Sequence, residues 1–182
     1  MSVKTTLDSI ETKSNSVSSL YSKETIDLLN YRIIEEEKSA RLYDSMAAWL
    51  LNNGYEGAAK LWDVYAKEEW NHANWAREYL MGLDIQPEFR TIPAIPCTYS
   101  SFPDIVKQSL THEVEITNQC NELTKKAHAA GDFMLAELGM RYMKEQHEEV
   151  SKIQDWVDQL KAFGTDKVAL RLLDTEMGKA AL

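Results

Sequence analysis

A chain of 182 residues, 44% apolar and 27% charged, has the length and the apolar content for one domain with a sizeable core. Its net charge of −9 excludes a nucleic-acid partner, whose phosphates it would repel, and suits cations instead. Cys97 and Cys120 are too few and too far apart for a disulfide framework or a Cys-x-x-Cys metal knuckle. No apolar run nears the roughly 18 residues of a membrane span, and the first residues lack the basic-then-apolar order of a signal peptide. A reducing, cytoplasmic setting without a membrane partner is expected.

Residues 1–21 read as a polar extension, rich in Ser and Thr, with apolar residues only at Leu7, Ile10, Val17 and Leu20 before Tyr21. Residues 22–182 carry the folded pattern. A helical stretch from Ser22 to Asn52 stops at Asn53-Gly54, and a second from Tyr55 to Met81 stops at Gly82, which predicts an antiparallel hairpin. All four prolines, Pro87, Pro93, Pro96 and Pro103, then fall in one segment. A connection that long belongs in a compact domain only if it crosses the length of something. Helical spacing resumes near Asp104 and ends at Gly131, a fourth helix covers Phe133–Phe163, and after Gly164 a short last helix covers Lys167–Met177. The fold class is all-α: a four-helix bundle of two antiparallel hairpins joined by a long crossover, plus a short fifth C-terminal helix.

The apolar stripes contain intruders. The first helix reads Leu29, Ile33, Glu36, Ala40, Tyr43, Ala47, Leu50. The second reads Ala58, Trp62, Tyr65, Glu69, His72, Ala76, Tyr79, and the third Val106, Leu110, Glu113, Ile116, Cys120, Leu123. The fourth reads Leu135, Leu138, Tyr142, Gln146, Glu149, Ile153, Trp156, Leu160. These steps of three and four keep each set on one helical face. Glu35 and Glu37 fall off the stripe and read as solvated charges.

Height along the bundle decides whether the intruders meet. Glu36 lies 16 residues before Asn52, while Glu69 and His72 lie 14 and 17 after Tyr55. Around the second turn, Glu113 lies 18 before Gly131, and Gln146 and Glu149 lie 15 and 18 after it. Both sets fall near mid-bundle, so Glu36, Glu69, His72, Glu113, Gln146 and Glu149 converge. Four buried carboxylates repel each other strongly unless they share protons or hold cations. With one imidazole they suit two divalent ions sharing a bridging carboxylate, and this oxygen-rich set fits ferrous iron without selecting it uniquely.

The segments YDSMAAWL, GYEGAAKLW, YAKEEWNHA, YSSFPDI, THEVEIT and MKEQHEEV, in that order, resemble the ferritins, most of all the non-haem ferritins of prokaryotes, over about residues 24–178. The resemblance implies an iron-storage subunit with a dinuclear ferroxidase centre, oxidising ferrous iron with dioxygen or hydrogen peroxide and depositing ferric mineral inside a homo-oligomeric cage of 24 subunits. Glu36, Glu69 and His72 would hold the first iron, and Glu69 would bridge to a second held by Glu113 and Glu149. Gln146 would stand beside them as a hydrogen-bonding or weak ligand. Glu68, Glu145 and Glu148, with Glu149, match a third iron position, and Tyr43 matches a tyrosine that supplies an electron. Trp70 and Asn71 stand where bacterioferritin places its haem-ligating methionine, and Gln146-x-x-Glu149 replaces a second Glu-x-x-His, so no haem is expected. Trp49, Trp75 and Tyr99 are candidate outward residues for contacts between subunits. The alternative reading is a non-storage di-iron oxidase or peroxidase of the same superfamily, which would need a substrate cavity at the bundle centre.

Overall fold

The structure, a computed structural model, describes residues 21–182, so the assigned polar extension lies outside the described residues except for Tyr21. Five helices follow: α1 (Lys23–Asn52), α2 (Glu56–Gly82), α3 (Phe102–Ala130), α4 (Phe133–Phe163) and α5 (Lys167–Ala180). Each start has a local cause. The side chains of Ser22, Ser101, Asp132 and Asp166 accept hydrogen bonds from first-turn amides of α1, α3, α4 and α5, satisfying donors that have no intrahelical partner. Ser101 and Pro103 start α3 at Phe102, two residues before the expected Asp104, because proline fits the first turn of a helix. Gly54 and Gly131 close the two hairpin turns with φ of 83° and 69°, a left-handed backbone that a Cβ would strain.

Helix α2 has no capping side chain of its own at Tyr55. Asp174 of α5 supplies one, its Oδ1 accepting from the Ala58 amide at 2.9 Å. Helix α5 approaches so closely because Gly57 and Gly178 face each other; a Cβ on Gly178 would lie 3.0 Å from the Gly57 Cα. The last helix thus completes the start of the second, and it runs three residues beyond the expected Met177.

The proline-rich crossover runs beside α1. The Glu88 amide donates to Asn30 Oδ1 at 2.9 Å, and eight residues later the Pro96 carbonyl accepts from Ser45. Those anchors are about 22 Å apart along α1 at 1.5 Å per residue. The length of the connection is therefore the length of the helix it spans, which returns the chain so that α3 and α4 form a second hairpin against the first.

Apolar side chains form two clusters rather than one continuous core. One gathers Tyr43, Met46, Leu50, Trp62, Phe102 and Ile153 with the α5 residues Leu173 and Met177. The other gathers Leu29, Ile33, Leu80, Ile116, Leu135 and Tyr142. Between them lies a belt of buried polar groups: Glu36, Glu69, His72, Glu113, Gln146 and Glu149. The stripe of α1 departs from expectation at one point, where Met46 is fully buried and Ala47 only partly so.

Of the residues expected to face outward, Trp49 and Trp75 are half-buried and Tyr99 does not face outward at all. Tyr99 is buried and edge-on to Trp49 at 6.2 Å, while Trp75 is covered by the Arg141 guanidinium, 3.7 Å from its ring centroid. The crossover and α4 cover these aromatics, which no single-helix pattern reveals. Large exposed apolar residues among those described include Phe133, Phe163, Val168 and Leu172. Glu35 and Glu37 are likewise buried, not solvated. Glu35 accepts from Lys38 and Gln119, and Glu37 pairs with Arg77 of the neighbouring helix. Cys120 is buried and Cys97 exposed. No described helix is long and apolar enough to cross a membrane.

Candidate metal centre

Each long helix sends one or more polar side chains into the belt. Potential ligand atoms fall into three groups, each with its atoms within 4.8 Å of one another: Glu36, Glu69 and His72; Glu69, Glu113 and Glu149; and His72, Glu145 and Glu149. Glu69 belongs to the first two. His72 Nδ1 lies 3.1 Å from Glu69 Oε2 and 3.5 Å from Glu149 Oε1, so the imidazole stands between two carboxylates. The Tyr142 hydroxyl donates to the His72 backbone carbonyl at 2.6 Å and fixes that turn of α2.

Gln146 acts as a donor here. Its Oε1 accepts from Thr117 Oγ1 at 2.9 Å, which turns the amide nitrogen towards Glu113 Oε2 at 3.3 Å and towards Glu149. Tyr43 donates its hydroxyl to Glu113, and its ring lies 6.1 Å from that of Tyr65. Glu68 is half-buried at the edge of the belt, 4.0 Å from Lys152 Nζ, and Glu148 is exposed. Of the three residues matched to a third iron, Glu145 alone joins one of the ligand groups.

The electrostatics are those of a site short of positive charge. Burial, followed by the charge of Glu36 and a hydrogen bond with it, holds the Glu69 carboxyl well above its ordinary value. Burial pushes Glu113 up to about 8, against the pull of the Gln146 amide. Glu149 is pushed up to about 10 by burial and then by Glu69 and Glu113. His112, which bonds Ser39 and stands edge-on to Tyr43, is lowered by burial to about 4 and adds no charge at neutral pH. Meanwhile Glu36 Oε2 is buried with no amide, hydroxyl or basic side chain donating to it, so the proton of a neighbouring carboxyl is the donor left to it. Carboxyls that must hold protons to sit together in a buried belt have the chemistry to hold a cation in their place.

A pH dependence follows. These carboxyls keep protons in the folded chain that the unfolded chain gives up above about pH 4.5. Folded protein therefore binds more protons, and stability declines as pH rises from there until the folded groups ionise. After chelation, Tm is expected to fall by about 5 °C or more between pH 5 and pH 9, and a divalent ion should restore it. A flat Tm over that range in chelated protein would contradict the placement of these protons.

The ferritin-like domain, as defined for its family, matches residues 26–163, which takes in all four long helices. The chain belongs to the ferritin family. The bacterial non-heme ferritin of Campylobacter jejuni is 31% identical over 163 residues, covering 90% of this chain and 98% of that one. That of Staphylococcus aureus is 30% identical over 159 residues, covering 87% and 96%. Among solved structures, an open pore ferritin from the archaeon Archaeoglobus fulgidus superimposes with a TM-score of 0.83 at 29% identity, covering 86% of this chain and 97% of that one. The match to ferritin relatives runs through the whole bundle, belt included.

Several residues of the centre escaped the stripe pattern. Arg32 sits four residues before Glu36, a spacing that signals a helical ion pair, and Thr117 sits four after Glu113. Tyr65 was legible as core but not as a wall of the centre. A small cavity of about 10 Å³, room for about one water, is lined by Tyr43, Tyr65, Glu68, Glu69, Glu113, Glu149, Lys152 and Ile153.

Proposed function

We propose that this chain is the subunit of an iron-storage ferritin that oxidises ferrous iron at a dinuclear centre and deposits ferric mineral within a cage of 24 copies in the cytoplasm. The observation that carries this reading is the sharing of Glu69 by two three-residue groups, one with Glu36 and His72 and the other with Glu113 and Glu149. Two ions one carboxylate apart can each be held by three side chains. In this reading Glu36, Glu69 and His72 hold the first ferrous ion, and Glu69, Glu113 and Glu149 hold the second. Iron is the substrate and the cargo. The ferrous pair supplies the electrons that dioxygen or hydrogen peroxide takes up.

The protein's part is geometry, charge and protons. Binding of cations releases the protons held by Glu69, Glu113 and Glu149, so affinity rises with pH. Gln146, anchored by Thr117, steers the oxygens of Glu113 and Glu149. Tyr43, bonded to Glu113, is placed to supply an electron. For a third iron position we retain Glu68, Glu145 and Glu148 beside Glu149; Glu145 already stands with His72 and Glu149, and Glu148 would have to turn inward. Of the alternative, a non-storage di-iron oxidase or peroxidase, the form acting on organic substrates finds no room in a cavity of about 10 Å³, and the form acting on peroxide is separated by the test below.

The test is anaerobic titration with ferrous ion followed by air, with light scattering for particle mass. Saturation at two or three irons per subunit, then continued uptake into a particle of about 24 subunits, is the expected result. Saturation at two in a dimer, with no later uptake, would replace storage by the oxidase.

A further inference from the structure

Next to the belt stands one buried cation. Arg32 is 2% exposed, with Nε 2.8 Å from Glu36 Oε1. The contact lies off the N–H axis, so it is an ion pair without a directed hydrogen bond. Nη1 donates to Gln119 Oε1 at 3.0 Å and to Cys120 Sγ at 3.6 Å, and the guanidinium lies 6.0 Å from the Tyr142 ring centroid. Gln119 is itself held by Glu35, donating to its Oε2 at 3.2 Å. Nη2 has no partner at all. A charge this buried and this incompletely satisfied is retained by its neighbour, and the neighbour is a residue of the first ligand group.

We propose that Arg32 is a positioning residue of the metal centre that occupies one oxygen of Glu36 and leaves the other to an ion, keeping the first position weak and penalising trivalent ions more than divalent ones. The idea rests on the reading of the belt as a cation site. Glu36 is the one carboxylate of the two groups shared with a permanent positive charge, and its other oxygen, Oε2, has no amide, hydroxyl or basic donor. An ion bound there sits one carboxylate away from the guanidinium. Coulomb repulsion scales with the ion's charge, and in a buried site it is screened far less than in water. Three charges feel it half again as strongly as two. A centre that passes cargo onward gains from this, because the oxidised ion is held less firmly than the ferrous ion would predict.

The test needs no turnover. Zn²⁺ and Tb³⁺ binding to chelated protein are measured by calorimetry for the parent, Arg32→Gln, Arg32→Met and Arg32→Lys, with metal-free Tm confirming that each folds. Both neutral variants are expected to bind Zn²⁺ at the first position about tenfold more tightly than the parent and Tb³⁺ tighter by a larger factor. Arg32→Lys, which keeps the charge, should stay within about threefold of the parent for both ions. Unchanged or weaker binding in the neutral variants, or equal factors for the two ions, overturns the proposal while leaving the centre itself standing. Failure of the parent to bind either ion overturns the reading of the belt and this inference with it.

Discussion

Glu69→Ala is expected to slow ferrous oxidation by at least about a hundredfold while the particle keeps its mass. The size of the effect comes from the position of Glu69 in two ligand groups at once. Its removal leaves Glu36 and His72 for one ion and Glu113 and Glu149 for the other, so neither retains three ligands and nothing bridges them. Glu36→Ala removes one ligand from one position only. Anaerobic titration should therefore find the Glu69–Glu113–Glu149 position still filled in Glu36→Ala, and neither of the two positions filled in Glu69→Ala, where only the His72–Glu145–Glu149 group stays intact. Oxidation at the parental rate by an assembled Glu69→Ala particle would remove the centre from its proposed role.

Gly57→Ala should produce the largest loss of stability. A Cβ there would lie 1.9 Å from the Asp174 carbonyl oxygen and 3.0 Å from the Gly178 amide nitrogen, both backbone atoms of α5 that no rotamer change can move. Helix α5 must shift, and with it go the Asp174 cap on Ala58 and the burial of Leu173 and Met177. Overpacking and loss of a cap together cost about 3–5 kcal/mol, or about 10 °C in Tm for a chain of this length. Gly82→Ala is the control, since nothing lies within 4 Å of its Cβ position and its φ is not positive. The centre lies about three turns along α2 from Gly57, so oxidation per folded subunit should be retained. Matching thermal profiles for Gly57→Ala and the parent would show that α5 does not seat against that glycine.

Much of this was legible in the sequence because helix punctuation and side-chain period are local signals. Gly54, Gly131 and Gly164 mark helix ends, the prolines mark the crossover, and steps of three and four place Glu36, Glu69, Glu113 and Glu149 on buried faces. Counting from the turns then set them level, since a hairpin turn ties heights on two helices together. What lay beyond reach depends on which hairpin packs where. Glu37 is buried because Arg77 of α2 meets it, and Tyr99 because the crossover lies along α1. Arg32 belongs to both kinds: its spacing from Glu36 was visible, but its burial depends on Gln119 and Cys120 of the second hairpin. Gln146 could be placed beside the centre, yet only Thr117 decides which end of its amide faces the carboxylates.

The split of the proposed ligands between the two hairpins has a consequence for the order in which the molecule is made. Glu36, Glu69 and His72 all come from α1 and α2, whose pairing is local in the chain and closes around a short turn, whereas Glu113 and Glu149 arrive only when α3 and α4 have traversed the crossover and docked. Local pairings form ahead of distant ones because less chain entropy is lost in closing them. During synthesis the first hairpin leaves the ribosome with the whole of the first proposed ligand set, while the second proposed set stays divided until the halves meet. Occupancy of the second position is thus a chemical clock for hairpin docking, readable in a refolding experiment as the delay between capture of one ion and capture of two.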